Sequence, residues 1–231
     1  MALVMYERVG FEGRRISPFS WRIRFAMAHK NADVEYIPTR FADVGKIEKL
    51  SGQKLVPILV DGSKVIHDSW NIARHLEAIY PDRSPLFGDE TAIATTRFIG
   101  LWAEATLMRT ARTMFGVDFL KCLEPEDRAH FRSTREVTYG MKLEDGQAKR
   151  AETLPQFVAA CLPLERLLGE QPFVSGSAPR YADYIVFSVF QWARTATAFD
   201  IVTPGSEIAR WRKQMIGMYD GLADKFPGPL A

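Results

Sequence analysis

The hydrophobic pattern of this chain changes character once. Over the first eighty residues, short apolar runs of strand character alternate with helical patterns; beyond about residue 90 every apolar pattern has the helical period. Strands interleaved with helices build a sheet with helices packed on it, whereas an unbroken series of amphipathic helices buries its stripes in a bundle. The chain is therefore read as two domains: an α/β unit over 1–82 and an all-α unit over 91–231, joined by a linker, 83–90. The linker reading rests on Pro81-Asp82-Arg83-Ser84-Pro85-Leu86-Phe87-Gly88, where proline and glycine punctuate the chain without periodicity.

In the first unit Leu3-Val4-Met5-Tyr6 reads as a buried strand. Ser17-Pro18 then opens a helix, with serine at the N-cap and proline in the first turn, where a missing N–H costs nothing. Phe19, Ile23, Ala26 and Met27 make its apolar face. Val34-Glu35-Tyr36-Ile37 is a second strand and Val56-Pro57-Ile58-Leu59-Val60 a third, with a short variable segment between them. Asp61-Gly62 turns the third tightly into a fourth, Lys64-Val65-Ile66-His67. Asp68 or Ser69 caps a helix whose core face is Ile72, Ala73, Leu76, Ile79 and Tyr80. Strands one and two, linked through a helix, must be parallel, and the two-residue turn makes three and four antiparallel. The expectation is a mixed four-stranded sheet. In the second unit amphipathic helices are expected at about 91–120, 125–143, 154–168, 181–195 and 206–226, with 184–190, apolar on nearly every side, at the bundle's centre.

Charge and cysteine content narrow the function classes. Thirty basic residues stand against 28 acidic ones, a net charge of +2, with no run of five like charges, so no nucleic-acid or membrane partner is expected. The longest apolar stretches fall far below the ~20 residues of a spanning helix, and the opening residues lack a secretory pattern, which reads as cytoplasmic. Cys122 and Cys161 form no CxxC, and the four histidines are dispersed, so neither a disulfide framework nor a metal site is expected.

The strand–helix–strand–hairpin–helix unit, with a proline opening its third strand, resembles the cytosolic glutathione S-transferases over nearly the whole chain. The residues carrying the resemblance are Ser17-Pro18-Phe19-Ser20, Leu55-Val56-Pro57-Ile58-Leu59, Asp68-Ser69 and Pro179-Arg180-Tyr181-Ala182-Asp183-Tyr184. Within that superfamily the chain is most similar to the bacterial glutathione-dependent β-aryl-etherases, on Ser17-Pro18-Phe19-Ser20-Trp21-Arg22, Asp68-Ser69-Trp70, Tyr80-Pro81-Asp82-Arg83, Leu143-Glu144-Asp145-Gly146-Gln147-Ala148 and Phe190-Gln191-Trp192-Ala193-Arg194. The resemblance implies a thioredoxin-like first domain that binds glutathione as co-substrate, an all-helical second domain lining the site of a hydrophobic electrophile, and a homodimer formed through the 68–80 helix and the helix after Thr91.

It also implies roles. A thiol of pKa about 8.5 is only a few per cent ionised at neutral pH, so an enzyme using it must stabilise the thiolate. Ser17 is the candidate donor to the sulfur, at a helix start whose free N–H groups add positive potential; Ser20, one turn on, is the rival, and taken alone Ser17 is an ordinary cap. A hydroxyl in place of CxxC cannot form a mixed disulfide, which disfavours thiol–disulfide chemistry and leaves attack by the glutathione thiolate on an electrophilic carbon. Pro57, cis in this family, turns the backbone of Val56 toward the cysteinyl part, while Asp68 and Ser69 meet the γ-glutamyl end. Gln53 or Lys54 would meet the glycyl carboxylate. Asp183 is the helix-capping aspartate, with Arg180 standing where the family usually has Ser, Thr or Asn, so the reciprocal cap is expected to be half present. For the electrophile, Trp102, Met108, Phe115, Tyr184 and Trp192 are candidate lining residues, although such spacing also fits core; Arg109 and Arg112 are candidates to polarise a carbonyl or phenolate, with solvated charge the simpler reading. The alternative is a binding or interaction module of the same fold without catalysis.

Overall fold

A computed structural model describes residues 2–229. The first domain runs β1 (Leu3–Arg8), α1 (Pro18–His29), β2 (Val34–Thr39), α2 (Val44–Ser51), β3 (Ile58–Asp61), β4 (Lys64–His67) and α3 (Ser69–Ile79). The sheet order is β2-β1-β3-β4. β1 is parallel to β2 and antiparallel to β3, and β3 is antiparallel to β4. This is the mixed sheet that a helical crossover and a tight hairpin demand. Met5 is buried at its centre, opposite Tyr36 on one side and Leu59 on the other. Gly62 takes φ 59° in the hairpin turn, a left-handed conformation that side chains resist. α2 occupies what reads in sequence as a variable segment. Ile47 is its one fully buried residue, with Val44 and Leu50 half-buried on the same face, a stripe too short to stand out in sequence.

The second domain contains α4 (Glu90–Trp102), α5 (Arg109–Met114), α6 (Gly116–Lys121), α7 (Pro125–Tyr139), α8 (Leu143–Ala148), α9 (Arg150–Ala160), α10 (Leu162–Glu170), α11 (Tyr181–Ala196) and α12 (Glu207–Gly221). The single helix expected over 91–120 is thus three. A wide π-type turn, Ala103–Met108, joins α4 to α5, and Phe115, at φ −139° and ψ 30°, breaks α5 from α6. Gly116 follows because Leu143 packs there: an added Cβ would lie 3.0 Å from Leu143 Cδ2. The 154–168 helix is likewise two, separated at Cys161 with Pro163 in the first turn of α10. In α12 regular helix ends before Met218, at ψ 153°, and Tyr219 and Asp220 then take positive φ. α11 is buried along nearly its whole length, as its apolar circumference implies. Asp183 accepts the Arg180 backbone N–H at 3.1 Å and Arg180 returns no acceptor, so half of the reciprocal cap is present.

The domains share one core. Phe25 of α1 packs against Tyr184 and Phe187 of α11, with ring centroids 5.5 and 5.1 Å apart. Arg22 donates from Nε to Ser188 Oγ at 3.2 Å, and the Tyr181 hydroxyl donates to the carbonyl of Ser69 at 2.8 Å. The connecting segment is docked: Leu86 and Phe87 are buried, and Leu86 accepts the N–H of Tyr181 at 2.9 Å. After β1 the chain touches α6, where Phe11 donates its N–H to the Cys122 carbonyl at 2.8 Å. A Cβ on Gly10 would meet that carbonyl oxygen at 2.1 Å, backbone against backbone. Gly10→Ala is therefore expected to cost about 1–3 kcal/mol through overpacking and to lower Tm by several degrees in a thermal melt. An unchanged Tm would mean the loop shifts freely and the contact constrains nothing.

Candidate active site

Where the start of α1 meets the helical domain there is a cleft of about 300 Å³. Ile16, Ser17, Pro18 and Val56 form its sheet-domain side. Ser17 caps α1, its Oγ accepting the Ser20 N–H at 3.2 Å. That bond uses an oxygen lone pair and leaves the hydroxyl proton to be donated toward the cleft. Ser20 points elsewhere: it does not line the cleft, and its Oγ is buried without a hydrogen-bond partner. Sequence favours Ser17 without fully separating it from Ser20. The structure separates them, because one turn of helix swings the second side chain into the interior.

The Val56–Pro57 peptide is cis. Among the described residues the N–H and C=O of Val56 pair with no other backbone group, so an open strand edge faces the cleft. Ile58 pairs with His67, and this register carries Pro57 and Asp68 to the same end of the β3–β4 hairpin. Asp68 sits at φ 71° and caps α3, its Oδ1 accepting the N–H groups of Trp70 and Asn71 at 2.9 and 3.3 Å. Ser69 is buried beside it. Neither residue lines the cleft itself. Gln53 and Lys54 lie further from it: the Gln53 side-chain amide donates to the Leu55 carbonyl at 2.6 Å, and Lys54 reaches Glu48 at 3.7 Å. Gln53 thus braces its own loop, and the Lys54 ammonium is exposed.

The helical side departs from expectation in an informative way. Of the five apolar candidates, Met108 and Trp192 line the cleft. Phe115 lies behind Trp192, edge to face at 4.8 Å, and Trp102 is outside the lining. Tyr184 belongs to the core, its hydroxyl within 2.6 Å of both His29 Nδ1 and the Tyr219 hydroxyl. Arg109 and Arg112, for which solvated charge is the simpler reading, both line the cleft. Residues that sequence does not single out complete it: Phe41, Phe119, Phe131, Arg135 and Tyr139. Helical spacing groups them in retrospect, since 104, 108 and 112 recur every four residues, as do 131, 135 and 139. Each face mixes charge with apolar bulk, so neither reads as core or as surface.

Burial marks the electrostatics of this wall. Arg8 is buried with its guanidinium 4.5 Å from the Phe41 ring centroid. Desolvation lowers its pKa to about 10, Arg135 adding to the effect and Asp127 and Asp43 opposing it. Burial pushes the Tyr139 phenol up, while the cations Arg135 and Arg112 pull the other way. Glu104, the single acidic residue in the lining, is held by Arg22 at 2.7 Å. Among the described residues no cluster of His, Cys, Asp and Glu is disposed to hold a metal, and no helix is long and apolar enough to cross a membrane. Cys122 and Cys161 are buried and not joined in a disulfide.

A mixed four-stranded sheet presenting a helix N-terminus, a hydroxyl and an open strand edge to one cleft, with a helical bundle as the facing wall, defines a thioredoxin-like protein with a second, all-helical domain. The chain belongs to the glutathione S-transferase family: the family's N-terminal domain matches residues 12–84 and its C-terminal domain residues 94–217. It is 22% identical over 180 residues to glutathione S-transferase U22 of Arabidopsis thaliana, spanning 76% of this chain and 69% of that protein. Among solved structures it resembles glutathione transferase GSTFuA2 from Phanerochaete chrysosporium, with TM-score 0.77 and 23% identity over 96% of this chain and 94% of that one. The glutathione S-transferase CsGST63524 of Ceriporiopsis subvermispora, solved in complex with glutathione, gives TM-score 0.74 and 24% identity with the same coverage. The β-etherase LigF from Sphingobium sp. strain SYK-6 gives TM-score 0.70 and 17% identity over 94% of this chain and 96% of that one. At such identities the overlays establish a shared fold, and the etherase stands as one distant neighbour among several.

Proposed function

We propose that this chain is a glutathione transferase in which the glutathione thiolate, stabilised by Ser17 at the N-terminus of α1, attacks an electrophilic carbon of an aromatic substrate held against the helical wall. The observation that carries this reading is the convergence of Ser17 and the unpaired backbone of Val56 on one cleft whose other side is aromatic. Glutathione would add a short strand to Val56, with its γ-glutamyl end toward Asp68 and Ser69 at the adjoining hairpin end. The Ser17 hydroxyl and the Phe19 N–H, the one first-turn donor left by Pro18 and by the Ser20–Ser17 bond, would then face the sulfur at the positive end of α1. Lowering the thiol pKa by about 2 units requires ~2.7 kcal/mol of preferential stabilisation of the anion. A charge-assisted hydrogen bond supplies about 1.5–3 kcal/mol and a helix N-terminus about 0.3–1 kcal/mol more. The two together, about 1.8–4 kcal/mol, bracket that requirement.

In the narrower version, drawn from the etherase-like motifs, the attacked carbon bears an aryloxy group beside a ketone. The C–S bond forms as the C–O bond breaks, and the aryl oxygen leaves with the electron pair as a phenolate, protonated afterwards by water. Arg109 and Arg112 would steady that departing charge. The test is glutathione-dependent release of a fluorescent phenol from an α-aryloxy ketone, run beside a simple electrophilic arene. Turnover of the arene alone would retain the transferase reading and remove ether cleavage. Failure to bind immobilised glutathione would move the protein to the non-catalytic reading.

The same reading includes a homodimer. Phe98 and Leu101 on α4 are 70% and 50% exposed, large apolar groups presented on the helix for which an interface is expected. Wild-type protein is expected to sediment at twice the chain mass, and Phe98→Glu to shift it toward monomer. A monomeric wild type refutes the interface.

A further inference from the structure

Four arginines meet in the cleft without a carboxylate partner. Apart from Arg8, the fully buried arginines each reach one: Arg14 to Glu12 at 2.7 Å, Arg22 to Glu104 at 2.7 Å, Arg24 to Glu7 at 2.6 Å. Arg8, Arg109, Arg112 and Arg135 all line the cleft, and among the described residues none of them has a carboxylate at ion-pair distance. The acidic residue nearest to hand, Glu104, is already taken by Arg22.

Three of these guanidiniums lie over aromatic rings: Arg8, which also donates to the Arg40 carbonyl, over Phe41, and Arg112 and Arg135 over rings of α7. Arg112 stands 4.7 Å from the Tyr139 centroid and Arg135 5.4 Å from that of Phe131. In Arg112 and Arg135 the ring contact locates the guanidinium without using its N–H groups, and Arg112 Nε is buried with no hydrogen-bond partner. Unpaired cationic N–H groups against apolar surface are costly, and an anion entering there gains charge-assisted bonds roughly twice as strong as neutral ones. The same wall supplies Phe119, Phe131, Tyr139 and Trp192, flat surfaces suited to a ring.

We propose that the electrophile is an aromatic carboxylate, its ring held among the aromatic side chains of the helical wall and its carboxylate by Arg112 together with Arg109 and Arg135. This rests on reading the cleft as a glutathione transferase site. On that reading the two carboxylates of glutathione are met on the sheet side, at Ser69 and near Lys54, and the arginines of α5 and α7 lack an anion from that source. A carboxylate is planar and takes two parallel N–H donors from one guanidinium, which a neutral ketone or ether cannot do.

The experiment is isothermal titration of the full chain with biphenyl carboxylate and with the uncharged biphenyl carboxamide, each with and without glutathione. The acid is expected to bind at least about tenfold tighter than the amide, ~1.4 kcal/mol. In Arg112→Met that preference should fall below about threefold while the amide binds as before, because the stem still packs and the fork is gone. Equal binding of acid and amide to wild type, no binding of either, or a preference that survives Arg112→Met and the Arg109→Met/Arg135→Met double variant overturns the proposal. So does loss of glutathione affinity in Arg112→Met, which would assign the arginines to the tripeptide. If glutathione fails to bind and the acid preference persists, the transferase reading falls while the anion site stands.

Discussion

Replacing Ser17 by alanine is expected to raise the pH at which bound glutathione ionises by about 1–2 units, most of the shift from a free-thiol value near 8.5. The sign follows from what is removed. The hydroxyl stabilises S⁻ over SH, so its loss favours the protonated thiol, and activity that was present at neutral pH moves to higher pH. Turnover should fall about 5- to 50-fold near pH 6.5 and approach wild type above pH 9, where the thiol ionises unaided. The check is a pH–rate profile beside the ultraviolet absorbance of bound thiolate. A loss uniform across pH would mean that Ser17 only holds the helix start, a role worth about 1 kcal/mol of stability. Ser20→Ala serves as the contrast. Its hydroxyl is buried and unpaired, so its removal should leave the profile unmoved and the fold as stable or slightly more so.

Asp183 carries the largest expected effect on stability. Its carboxylate is buried and accepts four donors: the N–H groups of Val174 at 2.7 Å and of Ser175 and Arg180 at 3.1 Å, and Trp211 Nε1 at 3.1 Å. These tie the 171–180 segment, the start of α11 and α12 to one point. Asp183→Ala leaves four buried donors without an acceptor, at about 3–5 kcal/mol in total, and should lower Tm by roughly 6–20 °C for a chain of this size. Asp183→Asn is the informative companion. Its amide keeps one oxygen for two donors and turns an NH₂ toward the other two, so it should fall between alanine and wild type. Denaturation near the wild-type Tm in both variants would show that neighbouring waters replace the carboxylate.

Much of the first domain is legible in sequence because its signals are local. A serine followed by proline starts α1, Asp-Gly closes the β3–β4 hairpin, and Asp68 begins α3, each within three or four residues of the structure it dictates. α2 escapes because Val44, Ile47 and Leu50 make an apolar face only eight residues long, too short to stand out. The breaks in the long helices escape for a different reason. The kink before Gly116 answers to the side chain of Leu143, which is distant in sequence, and nothing in residues 91–120 records that neighbour. The candidate site divides in the same way. Of the residues that the family resemblance singles out, Ser17 and Val56 line the cleft while Pro57, Asp68 and Ser69 stand at the adjoining hairpin end, whereas three of five proposed aromatic or apolar lining residues turn inward or aside.

The sequence by itself determined the four strands with the helices α1 and α3, the mixed sheet, the helical second domain and the hydroxyl at the start of α1, because periodicity, capping and turn chemistry act between near neighbours. The tertiary structure alone decided which serine faces the cleft, and that Arg8, Arg109, Arg112 and Arg135 share it. Those arginines come from β1, α5 and α7, and their meeting depends on how helices pack across a core. Chain-local pattern cannot encode that, since the angle and register between packed elements are set by side chains contributed from all of them at once.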